Sequence, residues 1–154
     1  MTLQQEFELQ CKELSFDITT PEGSSSFMRE WDQVALSEEI INLGKEIVDK
    51  WPSDLPLPSY MDTNRDGKGF DFEFDGMKDK DSPRVFISLS VDLNPKYDRY
   101  LVHYFVPNFK KEEKDYLYTN NLDEAFSKLK EFLNRAEKYD INWIKEIEYS
   151  EEQK

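Results

Sequence analysis

The stretch Phe70-Asp71-Phe72-Glu73-Phe74-Asp75 alternates an aromatic and an acidic side chain at every step. A period of two marks a β-strand with one buried face and one wet face. The phenyl rings on one side call for a core. The carboxylates on the other side lie roughly 7 Å apart along the strand. The period continues beyond this stretch. Val85, Ile87, Leu89 and Val91 alternate with Phe86, Ser88, Ser90 and Asp92, and Asn94-Pro95-Lys96-Tyr97-Asp98 has the composition of a turn. Arg99 to Val106 reads as a third strand, apolar on both faces apart from His103, which suits a central position. Tyr116-Leu117-Tyr118 adds a short fourth. Consecutive strands with short links imply an antiparallel meander.

The flanks change to the helical period. Thr2 and Gln5 have capping-box spacing, and Leu3, Phe7, Cys11 and Leu14 then fall on one face. Thr19 to Ser26 reads as a loop. Ser37 is placed to cap a second helix, with Ile40, Ile41, Gly44, Ile47, Val48 and Trp51 as its apolar stripe. Pro52, Pro56 and Pro58 end it. Asn120 or Asn121 caps a long helix whose stripe is Leu122, Ala125, Phe126, Leu129, Phe132, Leu133 and Ala136. Ile141, Trp143, Ile144 and Ile147 form a further short helix or strand. The expected fold is α+β: an antiparallel three- to four-stranded sheet with helices packed mainly on one face. Residues 1–154 form a single acidic domain, with 1–18 as an appended helix and 150–154 as a frayed tail.

Composition narrows the class of function. The chain has 154 residues, 14% aromatic, enough to build one core without staples. Its single cysteine, Cys11, excludes an internal disulfide and a cysteine-based zinc site. No basic leader or long apolar run is present, so the expected location is cytoplasmic, with no membrane partner. Net charge is −13, which disfavours direct contact with nucleic acid or anionic lipid. Residues 1–60 hold 4 basic and 12 acidic side chains, so most of the negative field arises there. Such a field steers basic partners towards the protein.

Several constellations carry chemistry. Asp62-Thr63-Asn64-Arg65-Asp66-Gly67-Lys68-Gly69-Phe70-Asp71-Phe72-Glu73 satisfies the spacing D-x-[DN]-x-[DN]-G-x5-E and resembles an EF-hand calcium loop over these twelve residues. The resemblance implies oxygen ligands from Asp62, Asn64, Asp66, the Lys68 carbonyl and Glu73. Its flanks depart from that family: a proline-rich segment precedes the loop and a strand period follows it. The plain alternative is a β-turn at Asp66-Gly67. His103, the only histidine, is the one residue around which an enzymatic site would assemble, and no catalytic partner is adjacent to it in sequence. Glu112-Glu113-Lys114 contains a spacing used by some metal-dependent nucleases, but it lies in a charged loop. Asp71, Glu73 and Asp75 form the first candidate contact patch for a basic partner, and Glu38, Glu39, Glu46 and Asp49 form a second. Tyr97 and Tyr100 are candidate aromatic contacts, since Tyr97, Tyr100, Tyr104, Tyr116 and Tyr118 cannot all face inward. The expected function is a non-enzymatic inhibitor or adaptor that occupies a basic surface of a nuclease or other nucleic-acid-binding protein. Immunity proteins and phage anti-defence DNA mimics both work in this way.

Overall fold

A computed structural model of the chain describes residues 2–14, 38–63, 69–94, 96–107 and 111–147. The expected loop at Thr19 to Ser26, the Ser37 cap and the tail from residue 150 lie outside the described residues. The elements run α1 (Leu3–Leu14), α2 (Glu38–Asp49), β1 (Tyr60–Thr63), β2 (Gly69–Met77), β3 (Val85–Asp92), β4 (Tyr100–Val106), β5 (Glu113–Thr119), α3 (Leu122–Ala136), a 3-10 turn (Glu137–Tyr139) and β6 (Asn142–Trp143).

Five strands form an antiparallel meander in the order β1-β2-β3-β4-β5, and β6 pairs with the far end of β2. The α+β class is as expected, but the sheet is larger than three or four strands. Two of the added strands are short. β1 has four residues and follows the proline run, and β6 has two, so neither is long enough to show a period.

Parity along the strands decides the faces. Phe70, Phe72 and Phe74 of β2 are buried, as are Val85, Ile87, Leu89 and Val91 of β3 and Tyr100, Val102, Tyr104 and Val106 of β4. The described helices pack on this side. α2 contributes Ile40, Ile47 and Val48, and α3 contributes Ala125, Phe126, Leu129, Phe132, Leu133 and Ala136. Trp51, just past α2, lies against the rings of Phe72, Phe74 and Phe126. α1 adds Leu3, Phe7 and Cys11 to the same core, so it is packed into the fold rather than appended.

The caps follow from local chemistry. The Gln5 N–H donates to Thr2 Oγ1 at 3.0 Å, and the Thr2 N–H donates to Gln5 Oε1 at 2.9 Å, completing the capping box. Asn121 caps α3 by accepting from the Glu124 N–H at 3.0 Å. Gly44 lets α1 approach α2, because a Cβ there would stand 2.5 Å from the Phe7 ring.

Gly76 is the second position where a side chain has no room. A Cβ would meet Ile141 Cγ2 at 2.5 Å, the Asn142 carbonyl at 2.7 Å and Trp143 Cε3 at 2.9 Å. The carbonyl is backbone and cannot rotate away. Gly76→Ala is therefore expected to cost about 1–3 kcal/mol, the usual range for overpacking. The β6 pairing should be released first. Hydrogen exchange on the described residues 141–147 checks this: β6 protection should fall while α3 protection holds.

Candidate functional site

The residues between the core positions point to the sheet face away from the described helices. Register arranges them in rungs. One rung runs Asp75, Phe86, Phe105, Lys114. The next runs Tyr60, Glu73, Ser88, His103, Tyr116. The third runs Asp62, Asp71, Ser90, Leu101, Tyr118. Beyond it, Asp92 lies across from Gly69. The face is thus graded: carboxylates on the β1–β2 side, small or aromatic side chains in the middle, and tyrosines and a lysine on β5.

Asp71 and Glu73 are partly exposed on this face. Burial raises the Asp71 carboxyl above its ordinary range, and the charges of Asp62 and Asp92 add to the rise, while a Ser90 hydrogen bond opposes it. Burial also raises Glu73, and the charge of Asp71 adds to this against a hydrogen bond from Tyr60. Among the described residues, neither Asp71, Glu73 nor Asp92 has an ion-pair partner. Among the described residues these charges are met by hydrogen bonds from neutral groups and by no cation, and a cation brought from outside would stabilise them.

Asp75 differs from its two neighbours and corrects the sequence expectation. It has the right parity but is only 4% exposed. Arg84 donates to both carboxylate oxygens, Nε to Oδ1 at 2.6 Å and Nη2 to Oδ2 at 2.5 Å. The Arg84 guanidinium also lies 5.3 Å from the centre of the Phe86 ring. Asp75 is thus a structural ion pair and offers no free carboxylate to a partner.

The tyrosines divide between the two sides. Tyr97, Tyr116 and Tyr118 are exposed, whereas Tyr100 is 6% exposed on the core side. Tyr100 therefore cannot serve as a surface contact. The second acidic patch lies elsewhere. Glu38, Glu39, Glu46 and Asp49 are exposed on α2, on the helix side of the sheet, and Glu46 pairs with Lys50 at 3.0 Å. A single partner surface laid on the sheet does not reach this patch.

A pocket of about 260 Å³ opens at the β3–β4 end of the face. Its walls include Asp71, Asp92, Asp98, Tyr97, Leu101 and Tyr118. Asp92 Oδ1 accepts from the Asn94 N–H at 2.7 Å, and Asp98 Oδ1 accepts from Asn120 Nδ2 at 3.3 Å. These bonds fix the carboxylates at the rim. Sequence reasoning named Asp71 and Tyr97 as contacts; Tyr118 entered only among the tyrosines that cannot all face inward, and Asp92 and Asp98 were not named as site residues. Asp92 occupies an outward position of the β3 alternation, and this was the one signal available.

His103 is stacked on Phe105, with ring centres 6.2 Å apart. Burial lowers its pKa, and the charge of Lys114 lowers it further, so the imidazole stays neutral near pH 7. Its rung neighbours are Ser88 and Tyr116, and Glu73 lies beyond Ser88 rather than beside the imidazole. This order does not place a carboxylate where it would orient the ring, and His103 does not line the pocket.

The calcium-loop residues Asn64, Asp66 and Lys68 lie outside the described residues. Asp62 and Glu73 end up on adjacent strands of one hairpin, with Asp62 across from Asp71 and Glu73 across from Tyr60. The segment therefore joins two paired strands, not the two helices of an EF-hand. Among the described residues, no group of three His, Cys, Asp or Glu side chains is arranged to hold a metal.

Glu113, from the nuclease-like spacing, has a structural role. It accepts from Tyr104 at 2.9 Å, from Lys138, and from the Tyr139 hydroxyl. Burial pushes its carboxyl up, but the bonds from Tyr139, Lys138 and Tyr104 outweigh this and hold it at about 2. A depressed carboxyl adds stability that is present above its ordinary value of 4.5 and is lost as pH falls towards 2. Glu113→Gln should cost about 1.5–3 kcal/mol at pH 7, the range for hydrogen bonds to a charged group. In melts across pH, the gap to the unaltered chain should narrow below the ordinary value of 4.5 and close as pH falls to about 2.

No helix among the described residues is long and apolar enough to cross a membrane. The fold and the face define an α+β chain with a graded acidic-to-aromatic sheet surface. Compared with known proteins, the chain matches no family model, no curated protein and no solved structure.

Proposed function

We propose that this chain is a non-enzymatic binding protein whose open sheet face occupies a basic surface of a nucleic-acid-handling protein. The observation that carries the reading is the set Asp71, Glu73 and Asp92. These carboxylates share one face with no ion-pair partner among the described residues, although eight ion pairs form among those residues, the Arg84–Asp75 pair on this same face included. A surface built for phosphates presents Lys and Arg, and carboxylates fixed on a rigid sheet are complementary to it. The net charge of −13 favours fast, salt-sensitive encounter with such a partner. An immunity protein against a nuclease and a phage anti-defence DNA mimic are the two biological forms this takes, and the partner acts in the cytoplasm.

The test is capture at low salt followed by elution on a rising salt gradient, run in parallel on three chains. These are the unaltered protein, Asp71→Asn/Glu73→Gln, and the control Glu38→Gln/Glu39→Gln on α2. The reading requires basic nucleic-acid-binding proteins that elute early in the gradient, are lost from the sheet variant and are kept by the helix control. Captured proteins that ignore salt, or bind all three chains equally, overturn it.

A further inference from the structure

The pocket at the β3–β4 end combines two features that belong together in cation recognition. Asp71, Asp92 and Asp98 bring three carboxylates to one cavity of about 260 Å³, and none has an ion-pair partner among the described residues. Tyr97 and Tyr118, residues 59% and 46% exposed, add aromatic side chains, and Leu101 adds an apolar one to the lining. Exposed rings beside fixed carboxylates suit a flat cation that stacks on one face and donates hydrogen bonds from its edge. Guanidinium has this shape and is weakly hydrated, whereas an ammonium is compact and holds its water more tightly.

We infer that this pocket is the anchor of the interface and takes one arginine side chain from the partner, stacked between Tyr97 and Tyr118 and hydrogen-bonded by Asp92 and Asp98. The inference rests on the basic-partner reading and adds to it a single contact point. The rest of the face supplies field and fit, and the pocket supplies the fixed geometry. Anchors of this kind, in which an aromatic or arginine group fills a pocket, carry much of the energy in protein interfaces. The aliphatic stem of the arginine would cross Leu101, matching the change from acidic to apolar along the third rung.

The probe is Nα-acetyl-arginine amide, titrated into the full chain and followed by the backbone amide shifts of residues 90–92, 97–101 and 117–119. The neutral isostere Nα-acetyl-citrulline amide and the ammonium analogue Nα-acetyl-lysine amide serve as comparisons. The expected result is saturable binding on the order of millimolar, the scale for one isolated side chain. Arginine amide should bind several-fold tighter than lysine amide, and citrulline amide should not saturate. Asp92→Asn and Tyr118→Ala should each weaken arginine amide at least five-fold. Asp98→Asn gives an independent variant should either fail to fold. Equal shifts from citrulline amide, shifts spread over the whole acidic surface, or unchanged binding in Asp92→Asn would overturn the inference. The two levels separate cleanly. If arginine amide does not bind but salt-sensitive capture is still lost in Asp71→Asn/Glu73→Gln, only the pocket inference fails. If capture itself shows no basic partner, the parent reading fails.

Discussion

Replacing Arg84 by Met should destabilise the protein by about 3 kcal/mol, the lower end of the cost of breaking a buried ion pair. In a chain of this size that corresponds to a melting temperature lower by roughly 6–12 °C. The asymmetry of the pair sets the effect. The Asp75 side chain is 5% exposed and the Arg84 side chain 43% exposed. Removing the arginine strands a carboxylate where water barely reaches, whereas the arginine itself loses little solvation in the pair. Asp75 cannot compensate through the backbone alone. Its N–H is already bonded to Ser59 Oγ at 3.2 Å, and its carbonyl accepts the Ile144 N–H at 2.8 Å. Arg84→Lys keeps the charge but not the two-pronged geometry and should fall between the two. The double variant Asp75→Leu/Arg84→Met separates charge from packing. If the stranded carboxylate is the cause, the double variant recovers most of the loss. A double variant as unstable as the single would place the effect in the contact between Arg84 and Phe86. Thermal melts of the four chains decide between these outcomes.

The pair also shows where sequence reading stops. The alternation over Phe70 to Asp75 gives the parity of every residue in β2, and that parity is correct for all six. Parity does not tell which outward carboxylate is covered. Arg84 follows Asp75 by nine positions and reaches it only because β3 begins beside the end of β2. The tyrosines fail for a related reason. β4 is apolar on both faces, so the alternation of Tyr100, Val102 and Tyr104 with Leu101, His103 and Phe105 gives no hydropathy difference to tell inside from outside. Only helix packing settles it. α3 places Phe132 against the Tyr104 ring, with centres 5.5 Å apart, and that choice buries Tyr100 as well.

By contrast, α1 and α3 were readable almost to the residue. Their signals are local: a cap, a stripe of period 3.6 and good helix formers between them. The pocket lies at the other extreme. Asp71, Asp92, Asp98 and Tyr118 come from four separate segments and meet only through strand register, which the sequence alone does not specify. A binding face built on a sheet is therefore less visible in sequence than one built on a single helix. The acidic patch on α2, the second candidate in sequence, is separated by the sheet from the face that holds the pocket.

Asp71→Asn together with Glu73→Gln should raise stability and, under the proposed reading, abolish partner binding in the same molecule. Both carboxyls are pushed up chiefly by burial; the charges of Asp62 and Asp92 add to the rise at Asp71, and the charge of Asp71 adds to the rise at Glu73. A carboxyl raised in the folded state costs stability above its folded pKa, and the cost disappears once pH falls below its ordinary value. At pH 7 both groups therefore act against folding. Neutral amides of nearly the same shape remove that cost, and relief of like charges across the strands is worth about 0.2–1 kcal/mol for each contact. The double variant should melt higher than the unaltered chain at pH 7, and the advantage should shrink to nothing as pH falls through the ordinary carboxylate range. Partner affinity should move the other way. Losing one member of a desolvated charge pair costs about 2–5 kcal/mol, so two lost pairs weaken binding at least 100-fold. They should also flatten the dependence on salt. A surface kept only for solubility would carry its charge where water screens it, and neutralising it would leave the melting temperature nearly unchanged. Calorimetry at pH 7 and pH 4, with affinity measured at two salt concentrations, tests both halves. If the variant is less stable at pH 7, Asp71 and Glu73 are structural, like Asp75, and the face has no claim as a binding surface.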